Sequence, residues 1–401
     1  MDTNNSYKPS AMERLNSLLP DIELWWDSNP LIYEKWCNDF LNSIENKNLK
    51  DLISFQLKRL WDKESDPEDW VFKGVTTNPP LTKAVFDNLK DEWTKIIQEI
   101  IKDNPRMDYT QVTWEAYKEA CKRGASLYMP LFEKSGYKYG YVSAQVDPRI
   151  SVDTKEMVRQ ALELKVLQPN IMVKIPTTKA GVLAIYILTA LGVPTNATLC
   201  YTLPQIMAVA EAVKQGKALG EKYGTDYSKW RSVITIMIGR FEDAKIFEEQ
   251  AKERGIELTE EMKRWAGIAI TKKACKILAK RDYPSKMLVA SSRVSPKVNG
   301  KQYIWHIEKL AGCNNLVYTM NPELIKAFMM LYMDRPIENK CEEPIPNEIM
   351  EKLLKVPYFA EAYGETTIPL EDFEKLEPTI TTYTQFSKAV IDLENYVKSL
   401  F

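Results

Sequence analysis

Short apolar runs alternate with longer stretches of helical period along this chain. The runs are Glu23–Asp27, Val71–Thr77, Gly140–Asp147, Ile171–Pro176, Thr195–Tyr201, Val233–Phe241, Met287–Arg293 and Leu316–Met320. Most are continuous and rich in Val and Ile, as strands buried on both faces of a parallel sheet should be. Helical patterns between them cover Leu81–Asp103, Thr110–Lys134, Asp153–Leu167, Lys179–Leu191, Leu203–Gly220 and Thr259–Lys280. Asp153 with Glu156 has the spacing of a capping box at a helix start. An apolar stripe of Phe386, Val390, Leu393 and Val397 predicts a last helix over Thr382–Leu400. Ser28–Asp69 reads as a mostly helical connection containing several Trp, and Pro336–Pro346 as a surface loop. Eight strands alternating with helices predict a parallel sheet, and the count of eight predicts closure into a (β/α)8 TIM barrel with helical insertions and C-terminal helices. No Gly/Ser-rich linker or internal repeat divides the chain.

Composition narrows the picture. The chain has 401 residues, 45% hydrophobic and 27% charged, with 10 Trp, 20 Tyr and 12 Phe. That apolar mass excludes a disordered or low-complexity protein. Lys plus Arg total 54 against 55 Asp plus Glu, a net charge of -1. No basic excess calls for nucleic acid, so basic residues matter singly, at sites. The six cysteines (Cys37, Cys121, Cys200, Cys275, Cys313, Cys341) stand far apart with no CxxC pair, and His306 is the only histidine. Neither a metal site nor a cofactor is expected from that set. The first residues lack a charged segment followed by an apolar run, and no window approaches 18 apolar residues. A cytoplasmic, soluble protein with reduced thiols and no membrane partner is the expectation.

In such a barrel the active site lies at the C-terminal ends of the strands. The polar residues there are Asp27, Thr76, Asn78, Ser143, Gln145, Lys174, Asn196, Thr198, Thr235, Arg240, Ser291 and Arg293. Residues two apart share a strand face, so Ser143 and Gln145, Asn196 and Thr198, Thr235 and Met237, and Ser291 and Arg293 can converge on one mouth. Lys174, inside IMVKIP, should be buried, and burial disfavours its charged form. A neutral amine is a nucleophile that forms Schiff bases with carbonyls. On VKIP alone, a snorkelling or Asp-paired lysine is the better reading; the converging polar set shifts the balance to imine chemistry. Arg240 and Arg293 end neighbouring strands, where this fold often holds phosphate. His306 reads as a helix-surface or packing residue. Trp25, Trp26 and Trp36 read as core, and Cys200 as a small core filler.

These residues stand in segments that resemble transaldolases. GVTTNPPLTKAV, VSAQVDPRISVDT, PNIMVKIPTTKAGVLAI, GVPTNATLCYTLPQ, IGRFED, ASSR and VYTMNPELIKAF follow one another in that family's order between roughly Leu24 and Phe328. The resemblance implies one barrel domain over 1–401, with insertions at about 28–69 and 103–137 and a helical segment at about 322–401. It implies a class I aldol enzyme that moves a three-carbon ketol unit of a sugar phosphate, in carbohydrate metabolism of the pentose phosphate kind. By position, Lys174 would form the imine, Asp27 would transfer protons, and Thr198 would position a water. Asn78 would hold donor hydroxyls, with Thr76 and Asn196 as polar supports. Thr235 and Met237 would line the site, and Ser291, Arg240 and Arg293 would hold phosphate. Oligomeric state stays open, a homodimer included. Two departures stand out. Gln145 occupies the place of the family's glutamate, and Met237 replaces phenylalanine or tyrosine. An amide orients water but moves no proton near pH 7, which leaves Asp27 and Tyr141 as acid/base candidates. A specialised relative acting on an unusual carbonyl, or a catalytically weak sugar-phosphate-binding barrel, are the alternatives.

Overall fold

Strand β1 (Glu23–Trp26) pairs in parallel with both β2 (Phe72–Thr76) and β8 (Leu316–Met320). Between them run β3 (Tyr141–Gln145), β4 (Ile171–Pro176), β5 (Thr195–Cys200), β6 (Ser232–Met237) and β7 (Ser285–Ala290), each parallel to its neighbours, so the sheet closes into an eight-stranded barrel. These are features of a computed structural model that describes residues 7–401. The first six residues, part of the segment read above for a leader, lie outside the described residues.

Alternation sorts the strand residues between two cores. Trp25, Tyr141, Met172, Val233, Leu288 and Val317 point inward and fill the barrel floor. Trp26 points outward and meets Tyr33 and Trp36, each with ring centroids 5.0 Å away. Gly74 is required opposite Trp25, because a Cβ there would lie 2.5 Å from the indole. Beneath the floor, Glu23 accepts hydrogen bonds from Arg231 (2.6 Å), Lys286 (2.8 Å) and the Trp25 indole N–H (3.0 Å). Burial pushes the Glu23 carboxyl up, but Arg231 and Lys286 together hold it at about 2.

Local chemistry moved several expected boundaries. The run Leu81–Asp103 is two helices, Pro79–Asn88 and Lys90–Asp103; the break is Leu89, which leaves helical geometry (φ -120, ψ 41) as Asn88 folds back onto the Ala84 carbonyl. The sixth strand stops at Met237, and Ile238–Glu242 turns helical. Asp153 caps its helix by accepting from the Glu156 N–H, but Glu156 pairs with Arg159 instead of completing the box. The insertion at 28–69 folds as helices Tyr33–Asn42 and Lys47–Leu60, and that at 103–137 as one helix, Tyr109–Lys134. Pro336–Pro346 forms no helix, as expected of a loop.

One expectation is corrected. Cys313 and Cys341 form a disulfide, so the cysteines are not all thiols. The fold brings the pair together because the Lys340 N–H binds the Ala311 carbonyl (2.8 Å), which lays the 336–346 loop over the end of helix Trp305–Leu310. His306, read as a surface or packing residue, is fully buried, which leaves the packing alternative. Among the described residues no helix is long and apolar enough to cross a membrane. No cluster of three or more His, Cys, Asp or Glu residues able to hold a metal occurs there either.

Candidate active site

The C-terminal strand ends surround a cavity of about 410 Å³. Asp27, Asn78, Lys174, Thr198, Thr235, Met237, Arg240, Ser291 and Arg293 all line it. Thr76 and Asn196 lie one layer deeper. Thr76 donates to Asp27 Oδ1 (2.6 Å) and meets Thr319. Asn196 donates to Ser143 (3.0 Å) and accepts from Thr235 (2.6 Å), a polar shelf across three strands.

Lys174 rises from the middle of this set. Its ammonium group donates one hydrogen bond, a long one of 3.4 Å to the Thr77 carbonyl. Burial lowers its pKa, the Asp27 charge opposes that shift, and Arg240 adds to it. Asp27 is raised, first by burial, against the pull of Lys174, Thr76 and Arg240. Both groups are therefore pushed toward their neutral forms, the arrangement from which an amine attacks a carbonyl and a carboxyl exchanges a proton.

Gln145 stands beside Lys174 in the β3–β4 ladder. It lines a neighbouring cavity of about 390 Å³, not the one that holds Lys174. The strand end is held by Tyr117, whose hydroxyl donates to the Gln145 carbonyl (2.8 Å) and accepts from its N–H (2.9 Å). The side-chain amide of Gln145 is buried with neither nitrogen nor oxygen partnered. Tyr141 shares its face but lies four residues lower, roughly 13 Å at strand rise. It packs edge-on against Phe132 in the floor, and burial pushes its hydroxyl to about 12, so it is no acid/base group of the mouth. Asn78 Oδ1 caps the helix Pro79–Asn88 by accepting from Leu81 N–H (2.9 Å), which leaves its amide N–H groups for the cavity. Thr198 donates to the Met237 sulfur at 3.9 Å.

Arg240 sits on the helical turn after β6, and Arg293 on the loop after β7. Gly239 lets them approach: a Cβ there would lie 2.1 Å from the Ser291 carbonyl. Arg293 donates to Ser291 O (3.0 Å) and pairs with Asp243 (3.0 Å). Leu199 (φ 52) and Ser291 (φ 62) adopt left-handed backbone without being glycine, and both adjoin lining positions. Such strain persists where surroundings enforce it, commonly at functional sites.

One element of the site was not foreseen. Helix Glu377–Lys398 crosses the mouth and brings Gln385, Phe386, Lys388, Ala389 and Asp392 to the cavity wall. It is fastened at both ends. Glu377 accepts the N–H groups of Lys245 and Ile246, each at 2.9 Å. Glu394 holds Arg149 through two contacts, of 2.7 and 3.1 Å. The apolar stripe marked which face of this helix is buried; no local pattern says that it is buried over a barrel mouth.

Comparison with known proteins agrees with this architecture. A family profile described as "Transaldolase/Fructose-6-phosphate aldolase" matches residues 64–367. A transaldolase of Mycobacterium leprae (strain Br4923) is 34% identical over 222 residues, covering 54% of this chain and 56% of the relative. A transaldolase of Thiobacillus denitrificans is 33% identical over 182 residues, covering 44% and 49%. "Transaldolase 1" of Streptomyces avermitilis is 30% identical over 181 residues, covering 45% and 47%. The chain spans about half the length of the curated relatives it matches.

Proposed function

The chain belongs to the transaldolase/fructose-6-phosphate aldolase family, and from that premise we propose that it is a class I aldol enzyme acting on a phosphorylated ketose through an imine on Lys174. The observation that carries this reading is the buried, weakly bonded Lys174 amine facing Asp27 in a chamber whose far wall is Arg240 and Arg293. We take residues 1–401 as one barrel domain with its helical additions, working in the cytoplasm. Its substrate is a small molecule, and its assembly is open between monomer and homodimer.

The steps follow from the side chains. The neutral Lys174 nitrogen adds to the ketone carbon, and the protonated Asp27 carboxyl gives its proton to the carbinolamine hydroxyl, which leaves as water, so that a protonated imine and an ionised Asp27 remain. Asp27, ionised, accepts the proton of the hydroxyl next to the breaking carbon–carbon bond. The electron pair of that bond moves onto the protonated imine as an enamine, and an aldehyde departs. Attack of the enamine on a second aldehyde completes transfer; protonation and hydrolysis complete cleavage instead. Asn78 N–H groups hold donor hydroxyls, Thr235 and Asn196 stiffen the wall, and Arg240, Arg293 and Ser291 receive the phosphate. No cofactor enters these steps.

A second reading has its own observation. Thr198 directs its hydroxyl to the Met237 sulfur, and the residue beside Lys174 in the ladder is Gln145, whose amide does not titrate. A water held by Thr198 would meet an amide rather than a titratable side chain at position 145. That favours a specialised member acting on an unusual carbonyl substrate. Borohydride reduction in the presence of a panel of ketose phosphates, read by intact mass, tests both readings. Mass should be added at Lys174 and be absent in Lys174→Ala, and the ketose that labels best names the donor. Labelling that persists in Lys174→Ala removes the assignment.

A further inference from the structure

Arg240 is a half-buried cation with an unusual partner. No carboxylate lies within ion-pairing distance of it among the described residues, whereas Arg293 has Asp243. Its one side-chain hydrogen bond goes from Nη1 to Gln385 Oε1, at 2.7 Å. The neighbouring Phe386 places its ring 5.7 Å from the guanidinium carbon. Burial lowers the Arg240 pKa and Arg293 reinforces that, while Tyr201, Asp243 and Asp27 oppose it from beyond contact distance, so the cation is penalised by desolvation without a direct counter-ion. Arg240, Arg293 and Gln385 also line a further cavity of about 270 Å³ on their other side. The three side chains form the partition between it and the chamber that holds Lys174.

We infer that Gln385 is the positioning residue for Arg240, and through it the determinant of phosphate preference. This deepens the function proposed above and rests on the phosphate reading within it. The chemistry of the carboxamide supports the assignment. An amide oxygen fixes a guanidinium by accepting one N–H, yet carries no charge, so the cation is oriented and remains unneutralised. A carboxylate in the same place would form an ion pair and compete with an anionic ligand. A guanidinium held on one side by Gln385 and on one face by Phe386 keeps its remaining N–H groups for a phosphate. Because Glu377 and Glu394 fasten the helix at both ends, position 385 is fixed relative to the barrel rather than free to follow Arg240.

Titration calorimetry with inorganic phosphate on the full chain tests this, using wild type, Gln385→Met and Gln385→Glu. Gln385→Met keeps size and helix propensity but removes most of the acceptor strength. It should weaken phosphate binding roughly five- to tenfold, the upper range of one ordinary net hydrogen bond, as suits this partly exposed contact. Gln385→Glu should weaken it further while raising the melting temperature, because the new ion pair satisfies Arg240 internally. A purely structural role predicts the reverse: Gln385→Glu would tighten the latch and leave phosphate binding intact. That result overturns the inference, as does a wild type that binds no phosphate. Imine formation is read separately, by borohydride with unphosphorylated dihydroxyacetone. Failure there removes the Lys174 reading and leaves the calorimetric result standing.

Discussion

Nε2 of His306 lies 2.8 Å from Glu242 Oε1, with both side chains wholly buried. The other ring nitrogen, Nδ1, accepts the backbone N–H of Arg293 at 3.1 Å. The tautomer follows from these partners: Nδ1 accepts, so Nε2–H donates to Glu242. Glu242 also receives Arg264 at 2.6 Å. One imidazole therefore ties the turn bearing Arg240 to the loop bearing Arg293.

Replacing that ring should disturb both stability and phosphate recognition. His306→Leu leaves Glu242 short of a donor and the Arg293 N–H without an acceptor. It should cost about 1–3 kcal/mol per stranded group and weaken phosphate binding several-fold, read by thermal melting and calorimetry. Unchanged phosphate affinity at reduced stability would confine His306 to packing.

Gly239→Ala is a sharper probe of the same joint. Its Cβ would stand 2.1 Å from the Ser291 carbonyl and 3.0 Å from Arg293 Cγ. Backbone must move, at about 1–3 kcal/mol for overpacking. The preference for phosphorylated over unphosphorylated ketose should fall, while borohydride labelling of Lys174 with an unphosphorylated ketone persists.

Lys174 should lower the stability of the fold it serves. Its folded pKa is lowered by burial, so the unfolded chain binds the proton more readily. Stability then rises with pH between the lowered folded value and the ordinary lysine value of 10.5. Lys174→Met removes this dependence and should raise the melting temperature at neutral pH, with the gain shrinking toward pH 10. Imine formation in the wild type should accelerate through the same window as the amine becomes neutral. A melting temperature that falls in Lys174→Met would mean that the buried ammonium is well paired after all.

Glu23 works in the opposite sense. Its folded pKa of about 2 lies below the ordinary 4.5, so its contribution is complete above 4.5 and is lost as pH falls toward 2. Glu23→Gln leaves Arg231 and Lys286 buried without a counter-charge, at roughly 3–5 kcal/mol. Melting curves across pH 2–6 should flatten in the variant. A parallel offset with the slope preserved would assign the acid sensitivity to other carboxylates.

The barrel was legible because its strands are buried on both faces, which gives continuous apolar runs; β4 and β8 match their runs residue for residue. Lys174 was legible for the same reason, as a charge in the middle of the otherwise apolar IMVKIP. What the sequence hid depends on contacts between distant segments. Glu242 sits in an unremarkable IGRFED, and nothing local pairs it with His306, 64 positions later. Gln385 is an ordinary polar residue on an amphipathic helix until that helix is laid across Arg240. Likewise, Cys313 and Cys341 gave no spacing signal, because a loop rather than a regular element brings them together.

The helix Glu377–Lys398, with the short 3-10 turn Leu370–Lys375 before it, joins the rest of the chain through residues 364–369, a stretch of bends with exposed Thr366 and Thr367. On the proposed function, the residue that positions Arg240 and the strand that carries Lys174 thus belong to separable pieces of polypeptide. A protease nick in that connector, or early local melting of the crossing helix, would strip Arg240 of its amide and one wall of the mouth, while Lys174 stayed embedded in the barrel. On the imine reading, partial damage there would leave Lys174 in place and cost phosphate preference first, a loss of selectivity ahead of a loss of turnover.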